Sequence, residues 1–309
     1  MNASSLQDFI FFGSRLRAPF PLPSLPVWPV SAAEGAPDVE IRLGETPASL
    51  ADPLWSSPFV QVGKDRSALI NVAAVGRFWL PDGGRVIVQP SQGAQDFEVE
   101  TILLGTVAGI LLHQRSRLPL HASCVVLDGR AIVLSGSSAS GKSLLAAALV
   151  RRGARLAADD LCVLDASGGS VQVIGGTGQA RLWPDAMNWL ETPPELRLPT
   201  RSGHGKCAVS MIAAEAHPWP LHLLVRLGVS NLAAEPTLER QQGLGSIFPP
   251  DGLVYQREIG QLLGNAGIEF SGITALARQV TRVSLTHRAI INSLDPCVEL
   301  ILRAAREGV

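Results

Sequence analysis

Apolar positions follow two regimes along the chain. Up to residue 95 they come in short, near-alternating runs such as DVEIRL, ALINVAAV and RVIVQP, separated by Pro-rich turns such as APFPLPSLPVWP at 18–29. That spacing predicts half-buried strands. PDGG at 81–84, between RFWL and RVIVQ, predicts a hairpin. The result is a small β-rich domain over residues 1–95, and nothing in it suggests chemistry. FEVETILLGTVAGILLHQRS at 97–116 predicts a mostly buried helix. Strands and helices then alternate. SCVVL and RAIVL read as strands, SLLAAALVRRG as a helix ending at Gly153, and RLAAD, LCVLD, VQVI and HLLVRL as strands. Helical stretches are expected near 236–265 and 271–279, then the strand RVSLT and a last helix near 295–306. Residues 96–309 therefore read as an α/β domain.

Composition narrows the classes. The chain has 309 residues, 46% of them hydrophobic, enough for a real core. A net charge of −1 supplies no overall field for nucleic acid or an acidic membrane, so neither is an expected partner. The apolar run TILLGTVAGILL is too short for a span, which needs about 20 residues. MNASSLQDFIFF lacks a basic region and a cleavage site, so a cytoplasmic location is expected. Cys124, Cys162, Cys207 and Cys297 form no CxxC and no zinc spacing, and read as buried free thiols. Of 26 basic residues only Lys64, Lys142 and Lys206 are lysines, which makes each worth inspecting.

GSSASGKS at 136–143 fits G-x-x-x-x-G-K-[ST]. In such a P-loop, Gly136 and Gly141 let backbone N–H groups turn onto phosphate oxygens, and Ser137, Ser138, Ala139 and Ser140 supply the cradle between them. The helix expected from Lys142 adds its positive end. Lys142 can reach the β- and γ-phosphates, and the Ser143 hydroxyl can ligate Mg²⁺. The apolar strand leading in and the apolar helix leading out supply the context the motif needs.

Asp159 and Asp160 close the strand RLAAD. With loop, helix and strand in one βαβ unit, both strands run parallel and the acids fall beside the loop, on the edge where open sheets bind ligands. Two such carboxylates can divide roles, one holding a metal and the other taking a proton from an attacking hydroxyl. Two aspartates capping a turn are the plainer alternative. Asp128-Gly129 predicts a tight hairpin. Pairing Leu127 with Arg130 sets His121 opposite Gly136, near the acids, where it can tune an aspartate or simply bond backbone. Asp185 follows Pro184 in an expected first helical turn, and is either a helix-end charge or a second Mg²⁺ contact. Lys206, in RSGHGKCAV, is either a solvated loop cation or a group that neutralises a transferring phosphoryl. His204 has a weaker claim, and the tryptophans at 183, 189 and 219 read as packing.

The stretch HASCVVLDGRAIVLSGSSASGKSLLAAALVRRGARLAADD resembles the catalytic core of HPr kinase/phosphorylase, with its His-led strand, G-x-S-G-x-G-K-S loop, short helix and R-G-x-R-L-x-A-D-D segment. The overall pattern is most similar to the shorter HPr-kinase-like proteins, including lasso-peptide precursor kinases. The resemblance is strong over these 40 residues and weaker at LWPD and Lys206. Ser137 stands where the family has an acid, and the family's C-terminal segment for dephosphorylation and partner docking is not found. The resemblance implies an α/β P-loop kinase domain of the HPr kinase type over 96–309, a mixed sheet with flanking helices, preceded by the β-rich domain. It implies Lys142 on phosphate, Ser143, Asp159 and Asp185 on Mg²⁺, Asp160 as the base, His121 as the active-site histidine and Lys206 near the place of a catalytic arginine. The implied activity is ATP- and Mg²⁺-dependent phosphorylation of a serine in a peptide or protein, a ribosomal lasso-type precursor among the candidates, by an enzyme that can form a homo-oligomer. A small-molecule kinase and a non-catalytic nucleotide-binding regulator are the alternatives.

Overall fold

A computed structural model describes residues 6–29, 35–198, 205–241, 252–288 and 294–307. The chain divides into two compact units, one of residues 1–117 with 256–268, the other of residues 118–255 with 269–309. The division thus falls at Arg117/Leu118, whereas the sequence pattern puts it near residue 95. The helical segment after residue 95 is tied to the strands before it: the Gln114 side chain donates to the carbonyls of Arg66 and Leu80.

The first unit holds β1 (Gln7–Phe11), β2 (Ser14–Ala18), β3 (Val39–Leu43), β4 (Pro53–Ser56), β5 (Val60–Gly63), β6 (Ala68–Val72), β7 (Gly76–Asp82) and β8 (Arg85–Pro90). They form one sheet in the order β1-β2-β3-β8-β7-β6-β5-β4. The strand runs alternate as expected, with Phe78 and Leu80 buried on β7 and Val86 and Val88 on β8. Asp82 pairs with Arg85 across Gly83-Gly84, so PDGG does close a hairpin. The expected helix over 97–116 forms as α1 (Asp96–Ile102), a π-turn at Leu103–Val107 and α2 (Ala108–Gln114).

The second unit is mixed α/β. Its strands are β9 (Leu118–Leu120), β10 (Ser123–Leu127), β11 (Arg130–Gly136), β12 (Arg155–Ala158), β13 (Cys162–Asp165), β14 (Gln172–Ile174), β15 (Gln179–Leu182), β16 (Arg197–Leu198), β17 (Cys207–Ser210), β18 (Pro218–Val229), β19 (Thr237–Arg240) and β20 (Thr281–His287). Its helices are α3 (Lys142–Arg151), α4 (Pro184–Trp189) and α7 (Leu294–Glu307); α5 (Arg257–Leu262) belongs to the first unit, and α6 is Ala266–Gln279. The main sheet runs β12-β10-β11-β18-β14-β13-β9, with β20 beside β18 and β19 beside β20. β12 and β11 are each antiparallel to β10, so they run the same way with β10 between them. β18 is parallel to both β11 and β20. Gly136, Ala158 and His287 therefore end their strands on one edge of the sheet.

The core explains why this arrangement holds. α3 reads KSLLAAALVR and is buried on nearly every side, its three alanines allowing close approach to the sheet. α7 presents Leu294, Cys297, Val298, Ile301 and Leu302 at helical spacing to the same core. Cys124, Cys162 and Cys297 are buried free thiols and Cys207 is partly so, and burial pushes the Cys162 thiol up to about 12. The helical stretches expected near 236–265 and 271–279 form in part, as α5 and α6, and residues 242–251 of the first lie outside the described residues. Residues 237–240 are strand β19, because TLER lies along β20 and Leu238 packs on the core. The helix expected from 271 starts at Ala266. No helix among the described residues is long and apolar enough to cross a membrane.

Candidate functional site

Residues 136–143 link the end of β11 to the start of α3. Gly136 still pairs with Leu227 on β18, at φ +148°. A Cβ there would sit 2.8 Å from both the Leu227 carbonyl and the Ser140 hydroxyl, so the turn into the loop requires glycine. Ala139 at φ +63° and Gly141 at φ +92° curl the backbone around the N-terminus of α3. Leu145 N–H already bonds the Gly141 carbonyl, which leaves the earlier N–H groups of the helix start for a ligand. Lys142 is buried, and its Nζ donates to the carbonyls of Gly136 at 2.8 Å and Ser137 at 3.0 Å. Burial lowers its pKa, opposed by the charges of Asp160 and Asp159.

The acids follow β12 and differ sharply. Asp159 is buried, and both of its oxygens are engaged. Ser123 Oγ donates to Oδ1 at 2.5 Å and the Arg181 N–H to Oδ2 at 2.8 Å, and the Ser143 hydroxyl lies near enough to favour the ionised carboxylate slightly. Burial raises the Asp159 pKa above the ordinary carboxylate range, and these donors pull it back. Asp160 adopts φ +76°, a region few side chains accept, and its side chain is 40% exposed. His121 Nε2 lies 3.4 Å from Asp160 Oδ1. Burial lowers the His121 pKa, with Asp160 the chief opposing charge.

His121 reaches this position by a different route from simple pairing. The hairpin register runs from Leu127↔Arg130 to Ser123↔Leu134 and stops there. His121 lies beyond the ladder, and its N–H bonds the Leu253 carbonyl at 2.7 Å. Its ring sits 5.8 Å from that of Tyr255.

Loop, acids and His121 thus come together. Lys206 stands near enough for its charge to lower the pKa values of both His121 and Lys142, and its Nζ lies 5.9 Å from the centre of the Trp183 ring. Trp183 is half exposed rather than packed, whereas Trp189 lies against the core and Trp219 stacks on His217 at 3.9 Å. Asp185 is exposed in the first turn of α4, behind Pro184, and no described contact joins it to Ser143 or the acids. His204 lies outside the described residues.

Sequence reasoning misses two site residues. Ser123 sits in an otherwise apolar strand and touches Asp159. His287 ends β20 fully buried, with Nε2 3.1 Å from the Ser140 carbonyl and Nδ1 2.7 Å from that of Arg288. It braces the loop from a strand 147 residues away. A histidine closing a parallel strand on the ligand edge is the only signal that points to it. Among the described residues no group of three His, Cys, Asp or Glu forms a metal centre. A divalent ion at this loop would rest on Ser143, Asp159 and phosphate oxygens, a donor set that suits Mg²⁺.

No protein-family model matches the chain, and no curated protein does. Among solved structures the chain is similar to the HPr(Ser) kinase/phosphatase from Coxiella burnetii, at 15% identity over 60% of this chain and 95% of that one, with a TM-score of 0.33. A superposition that loose transfers no residue role.

Proposed function

We propose that the chain is an ATP-dependent kinase that phosphorylates a hydroxyl, most readily a serine of a peptide or protein. The observation that carries the reading is the asymmetry of the acidic pair. Asp159 is buried with both oxygens bonded, while Asp160 is 40% exposed beside His121. An exposed carboxylate held at φ +76° beside a histidine suits a group that meets a second substrate.

The roles follow from the chemistry. Residues 136–143 hold the phosphates by backbone N–H groups and the end of α3. Lys142 leaves its two loop carbonyls to neutralise phosphate oxygens. Ser143 and Asp159 would hold Mg²⁺, which when bound would offset negative charge on the phosphates. Asp160 accepts the proton of the acceptor hydroxyl as its oxygen bonds to the γ-phosphorus and the bond to the β-phosphate oxygen breaks. His121 orients Asp160. Lys206 neutralises charge on the group in transit. Incubation with ATP, Mg²⁺ and serine-bearing peptides, followed by mass, tests this: the peptide gains one phosphoryl group. Peptides left unmodified, with a metabolite modified in their place, would favour a small-molecule kinase.

Two further outcomes are expected. His287→Ala unties the Ser140 carbonyl and weakens ATP binding about tenfold, roughly the worth of one buried hydrogen bond. Calorimetry reads this, and unchanged affinity removes His287 from the site. The second outcome concerns pH. A lowered His121 pKa means the unfolded chain binds the proton first, below its ordinary 6.5. His121 then stabilises the fold above pH 6.5, and this is lost as pH falls through the lowered folded value. The ring is 35% exposed, so the slope is shallow. In His121→Gln the melting temperature is expected to fall less over this window than in the wild type.

A further inference from the structure

We propose that Ser123 is a positioning residue for the metal side of this site: its hydroxyl fixes the direction of the Asp159 carboxylate. The inference rests on the kinase reading only for where the metal lies. Ser123 opens β10, whose other residues are Cys124, Val125, Val126 and Leu127, all buried. Its own exposure is 0%. A hydroxyl in such a place costs free energy unless it is bonded, and an alanine would pack there without that cost. The bond it makes is to Asp159 Oδ1 at 2.5 Å, a charge-assisted geometry. The Arg181 N–H fixes Oδ2 at 2.8 Å.

The two donors come from different sheets, β10 in the main sheet and β15 in the three-stranded one. Together they set the carboxylate plane. With Arg181 alone the group can rotate about one bond. That rotation would turn the carboxylate out of the direction that Ser123 and Arg181 fix, and so weaken its hold on a metal shared with Ser143. Partners that orient a ligand in this way usually matter about 10–100-fold for metal affinity.

The test titrates a fluorescent ATP analogue into wild type, Ser123→Ala and Ser123→Thr, with and without Mg²⁺. Metal-free affinity is expected to stay within about twofold. The tightening produced by Mg²⁺ should shrink about tenfold in Ser123→Ala and return in Ser123→Thr, which keeps the hydroxyl. A merely structural serine would weaken both conditions alike. If Ser123→Ala fails to fold, Ser123→Cys replaces it, keeping the volume with a weak donor, and must show the same selective loss. The proposal is overturned if Ser123→Ala keeps the full metal gain, if it loses metal-free affinity equally, or if the wild type shows no metal gain at all. Absence of phosphoryl transfer in the wild type would sink the kinase reading and leave this binding result to stand or fall alone.

Discussion

Asp160→Asn is expected to lower phosphoryl transfer about a thousandfold while leaving ATP affinity within a few-fold of wild type. A positioned base contributes about 10²–10⁴ to rate, and asparagine cannot take the proton. The substitution is also clean. Asp160 sits at φ +76°, and asparagine tolerates the left-handed region as well as aspartate does. Alanine there would mix backbone strain with lost chemistry. The Asp160 side chain is 40% exposed and faces His121 at 3.4 Å, so asparagine of nearly the same shape fits there. Single-turnover kinetics beside equilibrium nucleotide binding separate the two quantities. Equal loss of both would mean that Asp160 binds nucleotide rather than moves a proton.

Lys142→Ala is expected to cost about a hundredfold in ATP affinity. Charge-assisted bonds to phosphate are each worth about 1.5–3 kcal/mol, and tenfold in affinity is about 1.4 kcal/mol. A second effect adds to this. Lys142 Nζ holds the carbonyls of Gly136 and Ser137 in the free protein, so its removal also loosens the cradle. Lys142→Arg should not rescue, because a planar fork cannot replace a compact ammonium between two carbonyls. Calorimetric titration with ATP measures both variants, and near-normal binding by Lys142→Ala would remove the loop from the nucleotide site.

The legible parts of the site are those set by local spacing. GSSASGKS, the helix behind it and RLAADD lie within 25 residues, and one strand–helix–strand unit brings them to one sheet edge. What the spacing could not show is that β10 would lie between β11 and β12. The DG turn set the hairpin register correctly as far as Ser123↔Leu134. Beyond it, His121 answers to Leu253, a partner 132 positions away. Ser123 and His287 were illegible for the same reason. Ser123 acts on a residue 36 positions away and His287 reaches the loop across 147, and neither belongs to a motif. Of the helical stretch expected near 236–265, Arg257–Leu262 forms as α5, while TLER at its start finds an edge of the sheet, where pairing with β20 outweighs weak helical periodicity. Gln114 shows why the unit boundary was displaced: its amide bonds reach back to carbonyls 34 and 48 residues earlier.

In the proposed kinase, the acids beside the glycine loop direct the γ-phosphate to a hydroxyl rather than to water. The most direct measurement follows label from γ-labelled ATP in the presence of Mg²⁺ and a serine-bearing peptide pool. Label is expected in the peptide fraction as acid-stable phosphoserine, and is expected to disappear in Asp160→Asn. Label released only as inorganic phosphate, or retained in ATP by wild type across the whole pool, would contradict this reading.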